Sequence, residues 1–304
     1  MEILKSLFSI LILALLGVLS RKVNIFDRDH IKVISSFVYY FALPSLFFSS
    51  LAKTDIFSID YEIIIGSVLP VFLLLLILFL LKVLHLLSKD NFILLSLSIC
   101  FGSNAFFGVA LFETLYGGKW LPLALVTASL LGVTGIVLSL LLFEYANKKG
   151  KGLVFIKKII KNPLIISIAL GVFCSAIGIK LDVLINSLSL LGQTAGGLAI
   201  FALGIFVYDN FSIQSVKKVL FYSIFRSVAL PISTFIVIFM TMNANSETSM
   251  FLFLQSGIPA AISLAVFAER YEYKLSEITG MIILTSLFSF FVIVVIFFIS
   301  EFIF

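Results

Sequence analysis

Ten apolar stretches follow one another almost end to end through this chain of 304 residues. They fall at about 3–20, 31–52, 62–86, 92–116, 119–146, 163–180, 183–208, 218–242, 249–269 and 277–303. Roughly 20 apolar residues cross the hydrocarbon core of a bilayer, so each stretch reads as a spanning helix. The longest polar connector, near 147–161, is too short to fold alone. The chain is 61% hydrophobic and 12% charged, with mean hydropathy +1.22. One soluble core cannot hide that much apolar surface. The fold class is therefore an all-α polytopic membrane protein, with the lipid bilayer as its solvent.

The first stretch has a single Lys5 before it and ends at Gly17-Val18-Leu19-Ser20-Arg21-Lys22. It lacks a small-x-small cleavage site and reads as a span, not a cleaved signal. Cys100 and Cys174 both fall inside spans, where they serve as small packing residues. Neither a metal site nor a disulfide framework follows from two such cysteines. No cofactor, no metal and no enzymatic constellation is expected.

Basic residues report orientation. With ten spans and both termini outside, the inner loops take Arg21, Lys22, Arg28, Lys32, Lys82, Lys89, the lysines of 147–161, Lys217, Lys218, Arg270 and Lys274. The outer side keeps only Lys5, Lys53, Lys119 and Lys180, while Arg226 lies inside a span. Basic residues concentrate in cytoplasmic loops, so this arrangement places the protein in the cytoplasmic membrane with both ends outside. The 147–161 lysines sit beside anionic headgroups. With no aromatic platform or folded module around them, no nucleic-acid partner is expected.

Weak similarities recur at offsets of 154 to 156 residues. Ala14-Leu15-Leu16-Gly17-Val18 is similar to Ile168-Ala169-Leu170-Gly171-Val172, Asp27 matches Asp182, and Phe112-Glu113 matches Ala268-Glu269. A common offset points to an internal repeat. The halves are 1–146 and 163–304, joined by a short basic loop at 147–162. Five spans per half is an odd number, so the second half enters from the opposite side and the repeats are inverted.

The fourth and ninth stretches each contain residues that break helices. One is Gly102-Ser103-Asn104-Ala105-Phe106-Phe107-Gly108, the other Gln255-Ser256-Gly257-Ile258-Pro259-Ala260-Ala261. Pro259 cannot donate a hydrogen bond and clashes with the preceding turn. Gly257 reaches backbone conformations closed to other residues. Irregular backbone at membrane depth survives only where protein buries it or water lines it. Interrupted segments at matching places in two halves point to the substrate site of a secondary transporter. The candidate substrate-binding residues are Gly102, Ser103, Asn104, Ala105 and Phe106 in one half, and Gln255, Ser256, Gly257, Ile258, Pro259 and Ala260 in the other. Two unwound helices would offer N–H groups and positive dipole ends to an anion such as a carboxylate. The plainer alternative is a proline kink against a close-packed small-residue contact.

Other positions bear on the substrate path or its charge. Tyr40 and Pro44 lie in the second span, and Gln193 in the seventh. Arg226 lies about 12 Å into its span, eight residues past Lys218 at 1.5 Å each. It either snorkels to the interface, pairs structurally, or balances substrate charge.

In order along the chain, these residues resemble the auxin efflux carrier family. The resemblance runs through Phe41-Ala42-Leu43-Pro44-Ser45-Leu46-Phe47, Phe101-Gly102-Ser103-Asn104-Ala105-Phe106-Phe107-Gly108, Lys161-Asn162-Pro163-Leu164, Ala202-Leu203-Gly204, Ile258-Pro259-Ala260 and Ala268-Glu269-Arg270-Tyr271. It implies a prokaryotic member with an inverted-repeat fold like that of the bile-acid sodium symporters, in which the fourth and ninth spans cross. It also implies an organic-anion substrate, elevator-like movement and a homodimer. The scaffold would be 1–60 with 163–210, and the transport part 61–146 with 211–304. Many relatives carry a Gly-apolar-Pro pattern after the fourth-span break, and Gly108-Val109-Ala110 here has no proline.

The expected function is export of a small organic anion. A monovalent anion leaving a negative interior gains about 2.3 kcal/mol per 100 mV. The alternative on the same fold is Na⁺- or H⁺-coupled uptake or exchange, although no acidic residue accompanies the breaks. An intramembrane protease is a remote alternative. Tyr208-Asp209 lacks its second aspartate, and Ser256-Gly257 lacks an intramembrane histidine. A channel is the other.

Overall fold

The computed structural model describes residues 2–53, 61–115, 119–147, 161, 163–178, 182–210, 213–241 and 247–303. Most of the connector expected at 147–162, including Asn162, lies outside these residues. Among the described residues the structure is helical and no strand forms; one isolated bridge pairs Gly102 with Ala260. Six runs are long and apolar enough to cross a membrane: His30–Lys53, Tyr61–Val83, Leu121–Asn147, Asp182–Asp209, Val219–Thr241 and Leu275–Ile303. Pro163–Ile177 is apolar but shorter. The fourth and ninth stretches are missing from the long runs because each is divided into two short helices.

The helices are α1 (Glu2–Lys22), α2 (Arg28–Phe37), α3 (Leu43–Lys53), α4 (Tyr61–Val83), α5 (Lys89–Cys100), α6 (Val109–Thr114) and α7 (Leu121–Asn147). They continue with α8 (Pro163–Ile177), α9 (Asp182–Gly192), α10 (Thr194–Asn210), α11 (Ile213–Thr241), α12 (Glu247–Ser256), α13 (Ser263–Arg270) and α14 (Leu275–Ile303). Single π turns occupy Val38–Ala42, just before Pro44, and Asn104–Gly108.

Contacts group the chain into two units. The first comprises Met1–Ile59, Ala105–Ser129 and Leu153–Asn210. Its tightest helix pair is α1 with α10, and glycines make that approach possible. A methyl group built on Gly17 would lie 2.1 Å from the Phe201 carbonyl oxygen, and one on Gly204 would lie 1.9 Å from that of Ala14. With no hydrophobic drive between helices in lipid, such backbone proximity supplies the packing. Arg21 Nε donates to Asp209 Oδ1 at 2.9 Å at one end of the pair.

The second unit comprises Asp60–Asn104, Leu130–Gly152 and Phe211–Phe304. Here α11 packs against α14, α4 and α5. Both α4 and α11 contain a proline, Pro70 and Pro231, and the Ser233 hydroxyl donates to the Pro70 carbonyl at 3.2 Å. One end of the unit is tied by polar contacts. Lys274 Nζ lies 2.6 Å from Asp90 Oδ2, and the Tyr273 hydroxyl donates to Asp90 at 3.1 Å. Lys89 donates to the Ala146 carbonyl at 3.1 Å. Lys82 and Lys89 also sit 4.4 and 4.9 Å from the Tyr145 ring centroid, within cation–π range. The Lys274 ammonium holds the Asp90 carboxyl below its ordinary range. Burial, then hydrogen bonding to Asp90, pushes the Tyr273 phenol upward.

Candidate substrate site at two helix breaks

Helix α5 ends at Cys100, and Phe101 turns extended, with φ −130° and ψ 100°. Only Phe101, Gly102 and Ser103 leave the helical path before the π turn begins at Asn104. No proline follows Gly108, and the chain re-enters helix at once. The second break is longer. Helix α12 ends at Ser256, and α13 begins at Ser263. Pro259 lies inside the gap, where its missing N–H costs no helical bond.

The two breaks run antiparallel and pair as a minimal two-strand ladder. Ser103 N–H donates to the Pro259 carbonyl at 2.8 Å, and Ala261 N–H donates to the Phe101 carbonyl at 3.0 Å. Gly102 and Ala260 face each other between these bonds. Ala260 N–H donates at 3.1 Å to Thr285 Oγ1 of α14. Buried backbone groups need such partners, and in lipid the need is stricter. Gly135 of α7 supplies room beside the first break. A methyl group there would lie 2.4 Å from Phe101 Cδ2 and 2.8 Å from the Cys100 carbonyl oxygen.

Arg226, on unbroken α11, reaches this ladder. Its Nη1 donates to the Ser98 carbonyl and, at 3.4 Å, to that of Ile99; Nη2 donates to those of Ile258 at 2.8 Å and Pro259 at 3.2 Å. Ser98 and Ile99 belong to the last turn of α5, whose carbonyls have no partner within the helix. A cation there meets the negative end of the helix dipole. The side chain is 3% exposed. Its Nε has no hydrogen-bond partner, and among the described residues no carboxylate pairs with it. Gly102 leaves space for the guanidinium, since a methyl group there would lie 2.9 Å from Nη2.

Beside the ladder, within the second unit, opens a narrow cleft. Ser67, Asn104, Thr234, Gln255 and Ser256 give it polar walls, Ile99, Leu131, Leu230 and Leu252 apolar ones, and Arg226 its charge. Among the described residues no Asp or Glu lines it. Such a lining, apolar with two side-chain amides, Asn104 and Gln255, and one cation, suits a small anion.

Of the residues singled out from sequence, Gly102, Asn104, Arg226, Gln255 and Ser256 line this cleft. Ser103, Pro259 and Ala260 form the ladder, while Gly257 and Ile258 lead into it. Ala105 and Phe106 belong to the π turn and group with the first unit, as do Tyr40, Pro44 and Gln193. Tyr40 and Gln193 are exposed. Sequence reasoning passed over Ser67, Thr234 and Thr285. Ser67 and Thr234 each stand three residues from a proline inside an apolar span, Pro70 and Pro231, and that pairing was a usable signal. Thr285 has no comparable marker.

Comparison with known proteins bears on the family of the chain. A family described as membrane transport protein matches residues 2–297. The chain is 27% identical over 302 residues to Uncharacterized transporter MJ1031 of Methanocaldococcus jannaschii, covering 93% of this chain and 94% of that protein. These are transporters, not enzymes. With its match extending over nearly the whole length, the chain belongs to the membrane transport protein family, that of the auxin efflux carriers.

Proposed function

We propose that this membrane protein is a secondary transporter that exports a small organic anion across the cytoplasmic membrane. The observation that carries the reading is the cleft beside the helix breaks, whose one charged wall is a buried guanidinium without a carboxylate partner among the described residues. A buried charge is costly unless it is paired, and a substrate carboxylate would supply the missing negative charge. The amides of Asn104 and Gln255 would fix its orientation, and the apolar wall would accept a short carbon chain.

The same reading takes the chain as ten spans in two inverted repeats, 1–146 and 163–304. The order of helices supports it. The sequence of one helix, a divided second, a long third, a broken fourth and a long fifth occurs twice, from α1 to α7 and from α8 to α14. The broken elements α5–α6 and α12–α13 would be spans four and nine. Alternating access would be of the elevator type, with the site-bearing part moving against a scaffold that also forms a homodimer. Both termini would lie outside.

Counterflow in proteoliposomes against labelled mono- and dicarboxylates, with and without Na⁺ and a pH gradient, tests the function. Saturable exchange with at least one carboxylate is expected. Exchange restricted to organic cations or neutral solutes would overturn the proposal.

A further inference from the structure

We infer that Arg226 is a tethered counter-cation occupying the position where a broken-helix transporter would otherwise bind a coupling ion, so that this protein works without Na⁺. The inference rests on reading the cleft as an anion-transport site. In inverted-repeat transporters, unwound carbonyls and the C-terminal ends of half-helices coordinate Na⁺. Here that ligand set is present and a guanidinium holds it. Ser98 and Ile99 offer carbonyls at the end of α5, and Ile258 and Pro259 offer theirs just beyond α12. All four accept from the two Nη atoms of one side chain.

Three further observations agree. Hard cations commonly take carboxylate ligands beside carbonyls, and among the described residues no Asp or Glu lines the cleft. Among the described residues no group of acidic, His or Cys side chains could hold a metal ion. Gly102 keeps the space next to Nη2 free, which suits a planar guanidinium held at fixed depth. A second cation at these carbonyls would meet a like charge at close range, in a medium that screens it poorly. Arg is also the side chain that keeps its charge when buried. The protein thus retains one positive charge at the site whether or not substrate is present. The driving force then comes from the substrate gradient and the membrane potential, with no ion gradient.

The test needs no substrate. Thermal unfolding of the purified, detergent-solubilised full chain is followed by a thiol-reactive dye that reports exposure of the two buried cysteines. Wild type is compared in NaCl, KCl, LiCl and choline chloride at equal ionic strength, about 150 mM. The four midpoints are expected to agree within about 1 °C. Arg226→Ala should unfold earlier and regain about 2–4 °C in roughly 10 mM methylguanidinium, but not in tetramethylammonium, while wild type does not respond. Arg226→Lys, which keeps the charge, should remain indifferent to Na⁺, and it decides the matter if the alanine variant fails to fold. Saturable stabilisation of wild type or Arg226→Lys by Na⁺ would overturn the assignment. So would an alanine variant that folds yet ignores methylguanidinium. A carboxylate panel that gives no exchange would count against the proposed function alone, because the cation measurements do not depend on it.

Discussion

Thr285→Val tests the ladder with a minimal change of shape. Thr285 is 1% exposed and its Oγ1 accepts from Ala260 N–H at 3.1 Å. Ala260 is itself fully buried and stands at the bridge between the two breaks. Valine keeps the branched shape of threonine and removes the acceptor. The orphaned N–H then costs about 1–3 kcal/mol, toward the upper end where no water reaches it. Thr285→Ser keeps the acceptor and loses one methyl, about 0.8 kcal/mol by transfer. At roughly 2–4 °C per kcal/mol, the valine variant should unfold about 5–12 °C below wild type and the serine variant about 2–3 °C below. Labelling of buried thiols during a thermal scan reads this directly. Cys100 closes the helix that leads into the first break, and Cys174 lies in the other unit. In Cys174→Ala and Cys100→Ala backgrounds, the loss should appear first in the Cys100 signal. If serine destabilises as much as valine, the hydroxyl is not the partner of Ala260 and the ladder as described is wrong.

Three other outcomes follow from the same geometry. Asn104→Ala and Pro259→Ala should each lower carboxylate counterflow about tenfold or more, with unfolding midpoints near wild type; wild-type rates in both would contradict the site. Gly135→Ala should cost about 1–3 kcal/mol by overpacking, because its methyl would press on Phe101 and on the Cys100 carbonyl; a thermal scan within 1 °C of wild type would show that α7 yields there. Asp90→Asn should cost at most about 1 kcal/mol at pH 7, since the pair with Lys274 is half exposed and screened. The Asp90 pKa is lowered in the folded state, so its contribution is present above the unfolded pKa of about 3.9 and is lost as pH falls through the lower folded value. Chemical denaturation at neutral pH and near pH 3 should therefore show the difference between the two proteins shrink toward the acid end.

Much of the fold is legible because the bilayer sets one length scale and polar backbone must be met inside each segment. Leu121–Asn147 and Leu275–Ile303 are long apolar runs in the sequence and long helices in the structure. The fourth and ninth stretches look equally apolar, yet Gly102 and Pro259 mark where each helix divides. The extent of the breaks is another matter. Three residues leave the helix at the first and six at the second, and that inequality follows from Pro259, which has no counterpart at the first. The π turns at Val38–Ala42 and Asn104–Gly108 leave no periodic signature, since a one-residue insertion does not disturb an apolar run. The grouping of Ala105–Ser129 with the first unit is likewise a long-range property that no local pattern encodes.

The site shows why breakers are readable and their partners are not. A helix break is a local event, caused by the residue that sits there. The groups it frees are then satisfied from elsewhere in the chain. Thr285 lies 25 residues from Ala260, and Arg226 lies 128 residues from Ser98. From sequence alone, Arg226 is a cation inside a span that snorkels, pairs structurally or balances substrate charge. Its carbonyl partners favour the structural pairing, because an arginine bonded to the end of α5 and to the second break cannot also reach for the interface. The same contacts explain why both breaks persist in lipid. The ladder satisfies Phe101 and Pro259 on their carbonyl side and Ser103 and Ala261 on their amide side, and the guanidinium takes up carbonyls on both chains. Removing either the ladder or the arginine would leave carbonyls bare in a medium that charges several kcal/mol for each. The breaks and Arg226 therefore form one structural unit that holds a buried positive charge.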